Sequence, residues 1–246
     1  MKDSFVPTAH GAWLILATAI LLGVLSGGEE AGAGTLSLSL AAVFGFCAVD
    51  RLLCGLKDPD KYPVALRMGL IYAVFGFVSG LIAVADVGVM RLLWIGGLAP
   101  FLGLLAWSLS RSPRYRRAFE IFGMVSLSLV LPAVSLTTDC PIAWPLFALS
   151  AVFALHVMHA SFRTRAHLQP RQRKLARWIG VAGGLVVLAI FGSGGISVPL
   201  ALAVVIGLAE PWAPDWKPMP AKRIGWRETA LISLFPIALV LEVLLR

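Results

Sequence analysis

Apolar residues run through the chain in long blocks, broken by short segments that hold almost all of the charge, and this alternation is the dominant signal in the sequence. A helix crossing hydrocarbon about 30 Å thick at about 1.5 Å per residue needs roughly 20 such residues, and it bonds its own backbone polar groups on the way. Nine stretches meet or approach that length: residues 9–26, 34–54, 63–84, 91–109, 118–136, 142–162, 174–192, 195–211 and 227–245. The first and eighth are short. Between the seventh and eighth, Gly192-Ser193-Gly194-Gly195 reads either as a turn between two spans or as a hinge within one broken helix.

Lys and Arg collect on the face of a membrane from which they need not be translocated, so correctly counted spans should alternate basic and bland loops. Nine crossings put 19 of the 21 basic residues on one side, from Lys2 through the clusters at 51–67, 111–117, 163–177 and 217–227, and leave only Arg91 and Arg246 opposite. This sorting requires two crossings between Arg177 and Lys217, and hence a helical hairpin over 174–211. It places the N-terminus in the cytoplasm and the C-terminus outside. A second reading of the first segment is a cleaved signal peptide, with Leu14–Leu25 as its apolar region and Ala31-Gly32-Ala33 as the small-residue site. Against it stand a single Lys beside an Asp at the start, and His10 and Trp13 at the entry to the span.

A mean hydropathy of +0.86 with 14% charged residues excludes a soluble globular domain, a disordered chain and a coiled coil. The net charge of +8 has no soluble basic face to act through, so no nucleic-acid partner is expected. Cys47, Cys54 and Cys140 match no disulfide framework and no metal spacing. The expected object is an all-α, polytopic transmembrane bundle of about nine spans. It forms one integral membrane domain over 1–246, in the inner (plasma) membrane of a bacterial cell, with membrane lipids as its surroundings.

Candidate chemistry begins at Pro7-Thr8-Ala9-His10-Gly11-Ala12-Trp13, where a His and a Gly open the first span and a Trp sits at headgroup depth. Trp anchors helices at that level, and a His facing the bundle would serve as proton carrier or anion contact. This P-x-x-H-G-A-W opening, followed by a run of spans, resembles the YwiC-like membrane proteins; the likeness implies a membrane protein and no particular reaction. The layout, with notable loops after spans two and six, is similar to the UbiA superfamily of intramembrane prenyltransferases. That resemblance implies aspartate-rich loops holding Mg²⁺ against a prenyl diphosphate. Here Asp50, Cys54 and Asp58 fall at i, i+4, i+8, in the register of the family's first motif, but a thiol replaces the middle carboxylate. At the second motif stand His156, His159, Arg163, Arg165 and His167, with no carboxylate between Asp139 and Glu210. Arg and Lys would then meet a phosphate directly, without a metal. Mg²⁺ is expected only if prenyl transfer holds.

Arg111, Arg114, Arg116 and Arg117 form a juxtamembrane basic run whose ordinary role is to meet anionic headgroups. Glu120 follows Arg116 by four and Arg117 by three, at the start of a span, where it reads equally as their ion-pair partner or as a site residue. His156 and His159 project toward one side, though four His in the whole chain are too few for a haem or metal centre. These residues suggest a cytoplasm-facing cavity for an anionic amphiphile such as an isoprenoid phosphate, a lipid or a quinone precursor. Its polar rim would be Asp50, Asp58, Arg67, Arg116, Arg117, Glu120, His156, His159 and Arg163, with His10 and Trp13 nearby. Two rival classes stand beside it: a transporter, hinted at only by the Gly192–Gly195 region, and a structural subunit packing through Gly96-Gly97 or Gly183-Gly184.

Overall fold

The computed structural model describes residues 10–27, 31–89, 123, 125–138, 143–213 and 217–244. Its elements are α1 (His10–Ser26), α2 (Ala33–Lys57), α3 (Pro63–Val87), α4 (Val130–Ser135), α5 (Trp144–Leu168), α6 (Arg173–Gly192), α7 (Val198–Ala209) and α8 (Ala221–Leu244). Single 3₁₀ turns at Pro170–Gln172 and Glu210–Trp212 follow α5 and α7, and no strand occurs among the described residues. Five helical segments are long and apolar enough to cross a bilayer: Ala33–Leu56, Pro63–Val87, Trp144–Leu168, Pro170–Gly192 and Ala221–Glu242. Shorter apolar helices cover Ala12–Ser26, Val125–Ser135 and Val198–Trp212. Large apolar side chains stand exposed along the outer faces, among them Phe75, Phe77 and Leu81 on α3, Leu185 and Leu188 on α6, and Leu202 and Ile206 on α7. Contiguous apolar surface of this kind belongs in lipid. The chain is an integral membrane protein.

Helices occupy eight of the nine expected spans, the fifth only over its later residues; the stretch 91–109 lies outside the described residues. The glycine-rich connector is a turn. α6 ends at Gly192, Gly194 adopts φ +72°, and α7 starts at Val198 and packs back along α6, so 174–211 forms the expected hairpin. Two helix ends differ from the expected ones by six residues. α5 continues to Leu168, six residues past the apolar stretch, until Gln169 turns to φ −135°, ψ 90° ahead of Pro170. A residue preceding proline is pushed out of the helical region, and that, not the end of hydrophobicity, sets this boundary. α8 likewise starts at Ala221, directly after Pro220, whose carbonyl accepts from the N–H groups of Arg223 and Ile224 at 2.9 and 3.2 Å. Arg163, Arg165, His167, Lys222 and Arg227 are therefore helical residues with fixed directions.

α2 and α3 pack chiefly on each other, with Phe44 against Tyr72 and Phe75. Asp86, near the end of α3, accepts from the Gly34 N–H at 2.7 Å and so places a carboxylate at the amino end of α2, where unbonded N–H groups and the helix dipole favour it. α1 runs against α4 and α8. Ser135 bonds the Gly23 carbonyl and Ser26, and Thr137 donates to Thr35 at 2.9 Å, which ties α1, α2 and α4 together at the end opposite the start of α1. The core lies between α1, α4, α5, α7 and α8, where Leu22, Leu131, Val152, Phe153, Val204 and Phe235 are buried and the rings of Phe153 and Phe235 meet edge to face at 5.3 Å.

Candidate functional site

α7 is short because its sequence cannot prolong it: Pro211 has no N–H to give the Gly207 carbonyl four residues earlier. Arg163 of α5 supplies the missing donor, with Nη1 at 2.7 Å from Gly207 O. Its other edge grips the Glu228 carboxylate of α8, Nε to Oε1 at 3.1 Å and Nη2 to Oε2 at 2.5 Å. One guanidinium thus braces three helices, and its side chain is wholly buried. Arg is suited to this position because its planar fork meets a carboxylate with two parallel bonds. A glycine is needed opposite it, since a Cβ at Gly207 would lie 2.7 Å from both Arg163 Nη1 and His156 Cε1.

Behind Arg163, His159 donates from Nε2 to the Ala176 carbonyl of α6 at 3.0 Å and turns Nδ1 toward Arg163 Nη1 at 3.4 Å, an arrangement that suits the neutral ring protonated at Nε2. One turn further along, His167 lies between two acceptors, the Lys217 carbonyl at Nδ1 and Glu210 Oε1 at Nε2, both at 3.0 Å; a doubly protonated ring satisfies both. Arg227 reaches the same Glu210 oxygen at 3.1 Å. The free carbonyls past α7 draw more cations, as the negative end of a helix should. Arg173 donates to Pro211 O at 3.0 Å and Ala213 O at 3.1 Å, while Arg177 donates to Pro211 O at 2.9 Å and lies over the Trp212 ring at 4.9 Å.

A groove of about 770 Å³ opens between α1, α5 and α8. Leu14 and Ile15 form one wall, Val157, Ala160 and Thr164 of α5 a second, and Ile224, Gly225, Thr229 and Ile232 of α8 a third. Glu228, held by Arg163, shows its free edge there. Arg165, Leu168, Ala221 and Lys222 line the groove at the helix ends, so two cationic side chains stand at this extreme. At the other extreme lies His156, 1% exposed, its ring edge-to-face on Phe235 at 4.9 Å and neither nitrogen bonded to another protein group. The twelve residues from Leu168 back to His156 correspond to a depth of about 18 Å.

The structure brings together His156, His159 and Arg163 from the expected rim. The other expected residues that the structure describes lie elsewhere. Trp13 turns toward α2 and packs edge-on to Phe46 at 4.9 Å. Asp50 is held by its neighbour Arg51, Asp58 caps the end of α2 and accepts from the Lys61 N–H at 3.2 Å, and neither they nor Arg67 line the groove. Arg116, Arg117, Glu120 and the side chain of His10 lie outside what the structure describes. Among the described residues no cluster of three or more His, Cys, Asp or Glu is arranged to hold a metal ion. Sequence reading missed Glu210 and Glu228, the carboxylates of the site, and His167, Arg165 and Lys222 as its helical residues. The signal for them was the i, i+4, i+8 stripe His159, Arg163, His167, which continues past the apolar stretch and demands acidic partners.

A family model described as YwiC-like protein matches residues 6–135. No curated protein and no solved structure matches the chain. The match covers more than half of the sequence, starting one residue before the P-x-x-H-G-A-W opening, and the chain belongs to the YwiC-like family.

Proposed function

We propose that this YwiC-like membrane protein binds an anionic amphiphile in the groove between α1, α5 and α8, with the apolar chain inside and the charged head at Arg165 and Lys222. The observation that carries this reading is the polarity of the groove along its length: apolar walls of ligand-sized volume, about 770 Å³, ending in two cationic side chains. Pockets of this size with few, well-placed polar groups are the usual form of small-molecule sites, and cations framing an apolar slot raise the local concentration of anionic ligands. An isoprenoid phosphate, a phospholipid and a quinone precursor with an acidic head share the required chemistry. In the same reading the chain crosses the inner membrane of a bacterial cell nine times with its amino terminus in the cytoplasm, and the groove opens to the cytoplasmic side. The placing of Arg165 and Lys222, from the basic clusters 163–177 and 217–227, at one end of the groove supports that orientation.

Dodecyl phosphate added to the purified protein in neutral-lipid nanodiscs tests the proposal. Saturating ligand should raise the unfolding temperature, with about 2.7 kcal/mol of stabilisation at one hundred times Kd. The double variant Arg165→Ala/Lys222→Ala should need about tenfold more ligand for the same shift, the worth of roughly 1.4 kcal/mol of charge-assisted contact. No shift at any concentration, together with no lipid retained in native mass spectrometry, would remove the reading.

A further inference from the structure

α5 buries four ionisable side chains, His156, His159, Arg163 and His167. Three of them have protein partners: His159 on Ala176, Arg163 on Glu228 and Gly207, and His167 on Glu210 and Lys217. The fourth, His156, has neither ring nitrogen bonded; its side chain alone of the four borders the groove, with both nitrogens buried and the Nδ1–Cε1 edge against Gly207. Its placement is built rather than incidental. Phe235 packs edge-to-face against the ring on one side, and Gly207 leaves space that a Cβ would take from Cε1 and Nδ1, at 2.7 and 3.0 Å. Packing alone would be served better by Phe or Leu, because a buried polar group without a partner costs about 1–3 kcal/mol.

We propose that His156 turns a ring nitrogen to the groove as its deep hydrogen-bonding contact, and that the ligand is an amphiphile carrying a hydroxyl or carbonyl oxygen on its apolar portion, about 14 Å from the anionic head. This rests on the groove being a ligand site and specifies which ligands it selects. A neutral imidazole offers one donor and one acceptor, so a hydroxyl can use either nitrogen and a carbonyl can use the N–H. A second charge at that depth is excluded by the cost of burying it among Val157, Ile232 and Phe235. A site built to bond an oxygen discriminates against the hydrocarbon analogue, because the analogue leaves the buried nitrogen unmet. The ligand class is thus an oxygenated lipid phosphate, or a tailed phenol or quinone with an acidic substituent, and not a plain alkyl or prenyl chain.

Dodecyl phosphate and 12-hydroxydodecyl phosphate differ only in the oxygen in question. Binding of both to wild type and to His156→Phe, in the same nanodiscs, gives a four-way comparison. The preference for the hydroxylated probe should fall about tenfold on substitution, the worth of one buried hydrogen bond, while dodecyl phosphate binds the variant at least as well as wild type. A preference unchanged by the substitution overturns the assignment of His156 and leaves the groove as a binding site. Failure of both probes to bind wild type removes the groove reading itself, and this proposal with it. Should His156→Phe not fold, ¹⁵N-histidine spectra of the wild-type protein decide: one imidazole must shift with the hydroxylated probe and not with the plain one, and identical spectra overturn the proposal.

Discussion

Glu228→Gln is the sharpest probe of the brace at Arg163. The substitution keeps the shape and a hydrogen-bonding oxygen but removes the negative charge from a guanidinium whose side chain is wholly buried, leaving Gly207 O and His159 Nδ1 as its neutral partners. Breaking one side of a buried pair costs about 3–5 kcal/mol, chiefly because a charge is left uncompensated. Glu228 is 21% exposed in its side chain, with one edge on the groove, so the low end of that range applies, about 3 kcal/mol. In a domain of about 250 residues each kcal/mol moves Tm by about 2–4 °C, which gives a fall of about 6–12 °C. Cys47 and Cys54 are free and buried, so a thiol-reactive dye that fluoresces on labelling reports unfolding directly. The double variant Arg163→Gln/Glu228→Gln removes the orphaned charge while keeping donors for Gly207 O, and it should regain about half of the loss. A fall of less than about 2 °C for Glu228→Gln, or a double variant less stable than the single one, would refute the claim that a charge pair holds α5 to α8.

Two further expectations follow from the same geometry. Gly207→Ala should lower Tm by several degrees, since its methyl would press on both Arg163 and His156 and overpacking costs about 1–3 kcal/mol; unchanged stability would mean that α7 does not approach α5 this closely. Single cysteines placed at Lys61 and Arg171 should be labelled by an impermeant maleimide from one side of the membrane and a cysteine at Ser193 from the other; labelling of 61 and 171 from opposite sides would contradict the charge sorting.

The apolar helices were legible because hydrocarbon imposes one requirement, a long apolar helix, wherever it is met. Eight of the nine expected stretches carry helices, and the turn at Gly192–Gly195 was already implied by the charges flanking it. The site was legible only in part. His156 and His159 stood out as polar residues within an apolar stretch, yet ending that helix at residue 162 assigned Arg163–His167 to a loop, where cations read as topology signals. Prolines, not hydropathy, set those helix ends, and Pro220 similarly brought Lys222 onto α8. Glu228 and Glu210 gave no local signal, since their partners lie on other helices. Asp50 and Cys54 keep their helical register on α2, but Asp58 leaves it at the helix end, Asp50 is neutralised by Arg51 and Cys54 is buried.

The length of α7 has a consequence for the lipid around it. Its twelve residues cover about 18 Å, against a hydrocarbon core about 30 Å thick. In the proposed nine-crossing arrangement adjacent lipids would dip to meet it, thinning the bilayer beside α7 and bringing head groups toward Trp212 and Arg177. The protein should accordingly favour thin bilayers, and short-chain phospholipids should be enriched in the annulus that copurifies with it.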